Sequence, residues 1–203
     1  MQKFVITGAA VLMFTVAASA QDYQKMDTFL GYTFTRFNSA HDLSAFNANG
    51  GSAQWAYNFN HWFSGVLDGG AVHNGGIHNA NLNTTVTTLL AGPRVSMRSG
   101  RFVPYIQTLF GGAWAATSAD ACAGLIGCIV PPNVNLRYTK TISGFAMTAG
   151  GGLDVKVSKH VSIRPVQAEY LLTRLQPFGD FSKVTQNNFR YSAGINFTYG
   201  GAQ

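Results

Sequence analysis

Apolar and polar residues alternate along the last segment of the chain. Between Phe189 and Tyr199 every second residue is apolar or aromatic, and the residues between them are polar or small. A period of two places all the apolar side chains on one face of a β-strand. Aromatic residues stand at both ends of this apolar row, as the interfacial girdles of a membrane-spanning strand do. The pattern predicts a strand over residues 187–199 with one face against lipid.

Seven further strands are predicted upstream by the same alternation. They cover residues 26–37, 50–59, 61–73, 84–98, 102–116, 141–157 and 160–173. Tight turns alternate with long connections, which lie at residues 38–49, 74–83, 117–140 and 174–186. Short turns on one side and long loops on the other are typical of outer-membrane barrels. The chain is therefore predicted to be all-β, an eight-stranded antiparallel transmembrane β-barrel with an up-and-down meander.

One predicted strand breaks its own alternation. Arg164 falls on one parity, whereas Gln167 and Glu169 fall on the other, although all three are expected to face the lumen. A β-bulge near Pro165 would shift the register by one residue, and it would spare the proline a hydrogen bond that it cannot donate. We predict this bulge at residues 163–166. The residues that would then face lipid are Ile163, Val166, Ala168 and Tyr170.

The N-terminus has the pattern of an export signal. Lys3 is followed by an apolar run over residues 4–16 and then by Ala18-Ser19-Ala20, a small-x-small cleavage site. This run is shorter than the roughly 20 residues of a membrane-spanning helix. Residues 1–20 are predicted to be a cleaved signal peptide, and residues 21–203 a single barrel domain.

Composition agrees with a membrane setting. Charged residues make up 11% of the chain, whereas soluble domains carry about 25%. Beyond the signal peptide, no segment offers the roughly 18 consecutive apolar residues of a spanning helix. Only helices and closed barrels satisfy every backbone polar group in a bilayer, so the barrel remains. The basic residues are scattered singly, and no nucleic-acid partner is predicted.

Six charged residues are predicted to face the lumen and to form a charge network. They are the acids Asp68, Asp154 and Glu169 and the arginines Arg94, Arg164 and Arg190. Buried charges have to be paired and hydrogen-bonded, because otherwise their desolvation cost dominates. The lumen of an eight-stranded barrel is filled by side chains. A structural salt-bridge core is the preferred interpretation, and a gated ion path is the alternative.

Cysteine and histidine residues offer weaker signals. Cys122 and Cys128, separated by five residues in the longest predicted loop, are expected to form a disulfide in an oxidising compartment. A metal site there would need further ligands, and none lies near in sequence. His73 and His78 have no carboxylate or cysteine neighbour and are interpreted as polar loop residues.

Two other protein classes, a hydrolytic enzyme and a soluble ligand-binding barrel, agree less well with the sequence than the membrane barrel does. His160, Ser162 and Glu169 are of the residue types found in a hydrolytic triad. Glu169, however, would lie on the order of 20 Å along the strand from His160 and Ser162, at ~3.3 Å per residue. We therefore predict no enzyme. A soluble barrel with an apolar ligand inside would need apolar lumen residues, which Asp154 and Arg190 contradict.

Four segments resemble the outer-membrane β-barrel family related to the membrane domain of outer membrane protein A, especially its small stand-alone barrels. They are residues 89–94 (LLAGPR), 150–155 (GGGLDV), 163–170 (IRPVQAEY) and 189–195 (FRYSAGI). The resemblance implies a location in the cell outer membrane, among outer-membrane lipid and lipopolysaccharide. In that family a terminal aromatic residue is read by the barrel-assembly machinery, which implies Phe197 and Tyr199 as the assembly signal. Here four residues, 200–203, follow Tyr199.

The function expected from these features is a non-enzymatic outer-membrane barrel with a structural or surface-interaction role. Its long extracellular loops would be the partner-facing part. The alternative is a narrow, low-conductance pore or a small-solute binding barrel. No cofactor is predicted, and the sequence does not identify the extracellular partner.

Overall fold

The computed structural model describes residues 23–39, 45–77, 82–120, 137–175 and 184–200, and these form a closed barrel of eight antiparallel strands. Each strand pairs with its sequence neighbours, and the last strand returns to pair with the first, from Met26↔Tyr199 to Phe37↔Asn188. The predicted fold is confirmed. The strands are β1 (Met26–Phe37), β2 (Phe46–Asn58), β3 (Phe63–Ile77), β4 (Leu82–Ser96), β5 (Phe102–Asp120), β6 (Arg137–Lys156), β7 (Val161–Leu175) and β8 (Val184–Tyr199).

Three short turns, at residues 59–62, 97–101 and 157–160, lie at one end of the barrel, which we call the turn end. The side chain of Asn60 accepts hydrogen bonds from the backbone N–H groups of residues 62 and 63, at 2.9 and 2.7 Å. Ser158 does the same for residues 160 and 161, at 3.3 and 3.1 Å. Gly100 has a φ of +87°, which glycine adopts without a steric penalty. The predicted turns are thus fixed by local hydrogen bonds and one glycine.

The predicted strand bounds were too short at the opposite end, which we call the loop end. β5 continues to Asp120 instead of residue 116, β6 begins at Arg137 instead of 141, and β3 continues to Ile77 instead of 73. The predicted loops were correspondingly too long. The residues exposed there, Gly75, Thr139 and Thr141, are small or polar, so the alternation that marks a strand fades while backbone pairing continues. Within the described residues, no helix is long and apolar enough to cross a membrane.

The predicted bulge is confirmed in the pairing of β7 with both neighbours. Arg164 pairs with Gly194 and Gln167 pairs with Ser192, so three steps along β7 match two along β8. The register of β7 against β6 shifts over the same residues. Pro165 occupies the extra position. As a result, the side chains of Arg164, Gln167 and Glu169 are all buried, and the predicted lipid-facing residues Ile163, Val166 and Tyr170 are exposed.

The barrel is apolar outside and largely polar inside. Exposed apolar residues such as Leu30, Trp55, Leu89 and Phe145 form the outer band. Above the polar part of the lumen, an apolar cluster fills the loop end, where the rings of Phe37 and Phe46 stack 4.8 Å apart. The other members of this cluster are Ala48, Val72, Val86, Ala115, Ile142 and Leu175.

Candidate functional site

All six residues predicted to form the lumen charge network do line the lumen. Asp68 lies on β3, Arg94 on β4, Asp154 on β6, Arg164 and Glu169 on β7, and Arg190 on β8. None is more than 7% exposed. These side chains face the lumen because alternate residues of a strand point to the same side, and in β7 the bulge shifts this alternation by one residue.

Arg190 is held between two acids. Its Nη1 lies 2.8 Å from Oδ1 of Asp68, across the lumen. Its Nε donates to Oε2 of Glu169 at 2.7 Å, on the strand directly beside it. Nη2 also lies 2.6 Å from the same oxygen, but it forms no well-directed hydrogen bond, so that contact is electrostatic. One guanidinium therefore pairs with two buried carboxylates from different strands.

Arg164 forms a two-pronged pair with Asp154. The Nε–Oδ1 and Nη2–Oδ2 distances are 2.6 and 2.9 Å, the fork geometry that makes arginine–carboxylate pairs strong. The guanidinium also stacks on two aromatic rings, 4.3 Å from the centroid of Phe29 and 4.7 Å from that of Tyr105. Cation–π contacts of this kind strengthen where water is excluded.

Two inward glycines make room for these rings. A Cβ atom at Gly152 would lie 2.5 Å from the hydroxyl oxygen of Tyr105. A Cβ at Gly31 would collide with the ring of Phe29. The aromatic stack around Arg164 therefore depends on glycine at both positions.

Arg94 is bound differently from the other two arginines of the predicted charge network. Among the described residues, no carboxylate lies within ion-pair distance of it. Its Nε donates to Oε1 of Gln107 at 2.8 Å, and its Nη2 donates to Oε1 of Gln54 at 2.6 Å. The guanidinium also lies 4.4 Å from the ring centroid of Tyr105. Amide oxygens and an aromatic face replace the expected acid.

Three buried glutamines connect the arginines to the acids. Gln54 accepts from Arg94 and, at 2.7 Å, from Arg164, and its Nε2 donates to Asp68 at 2.8 Å. Arginine only donates and a carboxylate only accepts, so the charged neighbours fix the orientation of this amide.

The other two glutamines repeat this arrangement around Glu169. Gln107 accepts from Arg94 and donates to Glu169 at 2.7 Å. Gln167 accepts from Arg164 and Tyr105, both at 2.8 Å, and donates to Glu169 at 2.9 Å. We call the six charged residues together with Gln54, Tyr105, Gln107 and Gln167 the lumen network. Gln54 was not predicted from the sequence, although its position among the inward-facing residues of β2 could have indicated it.

The lumen network closes the barrel at mid-height. Its residues come from seven strands, and Phe29 of β1 completes the circle. The network carries three negative and three positive charges, so it favours neither sign of ion. A cavity of about 10 Å³ lies beside Arg190 towards the loop end, room for about one water molecule.

A second polar cluster, which the sequence did not reveal, lies at the turn end. Arg98 folds back from the turn at residues 97–101, and its Nη2 lies 3.3 Å from Oδ2 of Asp27. The same nitrogen donates to Asn58 Oδ1 at 2.6 Å and to Ser64 Oγ at 3.1 Å. Because Arg98 sits at the edge of a turn, its inward direction depends on the backbone path of that turn.

Several other predicted residues lie apart from this site. The structure does not bring the residues of the hypothetical triad together: His160 is exposed in a turn, Ser162 is buried, and Glu169 is bound to Arg190. His73 is exposed, with Nδ1 3.0 Å from Thr85 Oγ1. Within the described part of the chain, no three histidine, cysteine or acidic side chains could hold a metal ion.

The remaining predictions concern the loops and the end of β8. Cys122, Cys128 and His78 lie outside the described residues. Phe197 and Tyr199 are 41% and 40% exposed on the outer face of β8 at the turn end. The hydroxyl of Tyr199 is 2.9 Å from Oγ1 of Thr28 on β1, across the seam that closes the barrel.

Comparisons with known proteins agree with this architecture. A family profile described as outer membrane protein beta-barrel domain matches residues 6–197. A search of curated proteins finds no match.

Solved structures share the fold. Ail, the attachment invasion locus protein of Yersinia pestis, is 15% identical with a TM-score of 0.55, covering 87% of this chain and 100% of Ail. Neisserial surface protein A is 13% identical with a TM-score of 0.57, covering 88% and 100% of the two chains. Ail has also been solved in complex with the heparin analogue sucrose octasulfate, with a TM-score of 0.54, 15% identity and coverage of 87% and 100%. At these identities the likeness shows the fold alone.

Proposed function

We propose a function from the premise that this chain belongs to the outer membrane protein beta-barrel domain family. The protein is located in the outer membrane, where its apolar outer band faces lipid. We infer that it is a non-enzymatic barrel with a closed lumen, which anchors a surface-interaction element at its loop end.

The orientation follows from the two ends of the barrel. Outer-membrane barrels have short periplasmic turns and longer extracellular connections. The three turns of four or five residues and both ends of the described chain lie at the turn end. We therefore assign the turn end to the periplasm and the loop end to the cell exterior, in contact with lipopolysaccharide.

The hairpin formed by β5 and β6 is the observation that carries the surface role. Beyond Trp114, the last exposed aromatic residue of the outer band on β5, this strand continues for six residues to Asp120. At ~3.3 Å per residue this adds on the order of 20 Å along the strand. The two strands stay paired throughout, from Ala115↔Ile142 to Asp120↔Arg137.

The outer face of this extension carries polar residues, in contrast to the band below it. Thr139 and Thr141 are exposed on β6. A paired extension with polar residues on its outer face suits contact with a partner in the aqueous phase rather than with lipid. Residues 121–136 join its two strands, and they include Cys122 and Cys128, which we propose form a disulfide there.

The lumen network supports an anchoring role over the alternative of a pore. Every strand of the described barrel contributes a side chain to the closed layer at mid-height. Arg98 adds a polar cluster with Asp27, Asn58 and Ser64 at the turn end. Ion passage would require breaking buried ion pairs, each held by further hydrogen bonds.

Export and assembly are proposed from the sequence features at the two ends. Residues 1–20 would direct export and be removed, leaving residues 21–203 as the barrel. Phe197 and Tyr199 would be recognised by the barrel-assembly machinery, and Tyr199 ends β8 beside Met26 at the closing seam.

Cell attachment tests the surface role. Because Asp120 and Arg137 are paired, residues 121–136 can be replaced by Asn-Gly, which closes a two-residue hairpin. Ile77 and Leu82 are also paired, so replacing residues 78–81 in the same way gives a matched control at the same end.

Heparin is the probe, because the related fold of Ail has been solved with a heparin analogue. Cells displaying the unaltered barrel should attach to a heparin-coated surface several-fold more than cells without it. The β5–β6 replacement should return attachment to background, and the β3–β4 replacement should preserve it. Attachment that survives the β5–β6 replacement would contradict the proposal.

A further inference from the structure

The acidic side chains whose burial is described, Asp27, Asp68, Asp154 and Glu169, all lie inside the barrel. Each is bound to an arginine. Among the described residues of the turn end, the exposed charged side chains are therefore basic.

The turn end carries four exposed cations, Lys25, Arg101, Lys156 and Lys159, which we call the basic rim. Backbone contacts connect neighbouring members. The N–H of Lys156 donates to the carbonyl of Arg101 at 2.9 Å. The side chain of Gln24, which precedes Lys25, donates to the carbonyl of Lys159 at 3.4 Å. No rim cation forms an ion pair with a described residue.

An aromatic belt lies at the same end of the barrel as the basic rim. Phe59, Trp62, Phe102, Phe197 and Tyr199 are between 40% and 58% exposed there, and Arg101 of the rim directly precedes Phe102. Aromatic residues of this kind mark the headgroup level of a bilayer. Cations at this end are therefore within reach of lipid phosphates.

We infer that the basic rim binds the anionic headgroups of phospholipids in the periplasmic leaflet. The charge is complementary, and no described acid on this surface competes for it. The rim would thereby hold the barrel at a fixed depth and enrich anionic lipid around the turn end. The inference rests on the membrane orientation given above and is independent of the surface-interaction role.

Quenching of Trp62 fluorescence tests this inference. The chain contains three tryptophans, and replacing Trp55 and Trp114 by Phe leaves Trp62 as a reporter inside the aromatic belt. The barrel is reconstituted in phosphatidylcholine vesicles that contain spin-labelled phosphatidylglycerol or, for comparison, spin-labelled phosphatidylcholine. Phosphatidylglycerol should associate near Trp62 on the order of fivefold more strongly, which is about the effect of one cation near an anionic surface.

Two matched variants remove the same charge from opposite ends. Lys25→Gln with Arg101→Gln should abolish the preference at Trp62. Arg36→Gln with Arg174→Gln, at exposed positions near the loop end, should preserve it. The inference would be overturned if the reporter protein showed no preference for phosphatidylglycerol near Trp62. It would also be overturned if both variants lost this preference equally, because the attraction would then depend only on the total charge of the protein.

A second measurement avoids the tryptophan substitutions. Electron spin resonance on the otherwise unaltered barrel reports the fraction of spin-labelled lipid in the first shell. The preference for phosphatidylglycerol should weaken on raising the salt concentration, and it should fall in the Lys25→Gln/Arg101→Gln variant. An unchanged first shell in that variant would also overturn the inference.

Discussion

The guanidinium of Arg164 and the carboxylate of Asp154 form a two-pronged ion pair, with N–O distances of 2.6 and 2.9 Å, inside a lumen where neither residue is more than 7% exposed. The pair exists because the bulge in β7 turns Arg164 inward. Phe29 and Tyr105 lie against the guanidinium, and the Arg164 side chain is fully buried.

Removing one partner of this pair should be strongly destabilising. Asp154→Asn leaves the buried Arg164 without its acid, and we expect a loss of about 3–5 kcal/mol in the free energy of unfolding. Denaturant unfolding of the reconstituted barrel measures it. Lys156→Gln, two residues further on and exposed, serves as the control and should change stability by less than about 0.5 kcal/mol. Equal effects of the two substitutions would contradict the ion-pair assignment.

Deleting Pro165 should be tolerated. The deletion removes the extra residue of the bulge, so Arg164 and Gln167 become two positions apart and both side chains still face the lumen. The folded band in a heat-modifiability gel should therefore persist. Deleting Ala168 instead makes Gln167 and Glu169 adjacent, so one of them would have to face lipid, and the folded band should disappear. The opposite result for the two deletions would refute the bulge assignment.

Gln54 should contribute more to the free energy of unfolding than Gln107, although both are buried glutamines. Oε1 of Gln54 accepts from two arginines, whereas Oε1 of Gln107 accepts from one. Unsatisfied buried donors cost about 1–3 kcal/mol each. Gln54→Leu should therefore lower the free energy of unfolding by about 1–2 kcal/mol more than Gln107→Leu. The reverse order would show that the amide bridges are not the reason for the stability.

The closed lumen should give no stable conductance in planar bilayers. Paired charges and three bridging glutamines fill the cross-section of the lumen. The cavity beside Arg190 has a volume of only about 10 Å³. Stable current steps whose size changes in Glu169→Gln or Arg94→Gln would instead favour the alternative function, a narrow pore.

Assembly in cells should depend on the end of β8. Tyr199→Ser should reduce the amount of folded barrel in the outer membrane, because the proposed signal and the contact with Thr28 are both altered. Deleting residues 201–203 should leave that amount unchanged. If the deletion is the more harmful change, the signal lies beyond Tyr199.

Much of the fold could be predicted from local patterns. Side-chain direction in a strand has a period of two, so each strand revealed its own inward and outward faces. Arg164, Gln167 and Glu169 could even be assigned to one face across a break in parity, because proline marked the bulge. The loop-end bounds could not be predicted, because the residues near Asp120 and Arg137 are paired without an apolar face.

The strands, the barrel and the set of charges inside it could be inferred from residue order alone, because they depend on the alternation within each strand. Which charges meet depends on how the strands are arranged in space. Arg190 and Asp68 are 122 positions apart and come together across the lumen through barrel closure and register. Pairing of neighbouring strands gave Arg164 the acid Asp154 and gave Arg190 the acid Glu169. Contacts between strands left Arg94 to amides and placed Gln54 between Arg94, Arg164 and Asp68. Such partners depend on how different strands are aligned, which the period along a single strand does not specify.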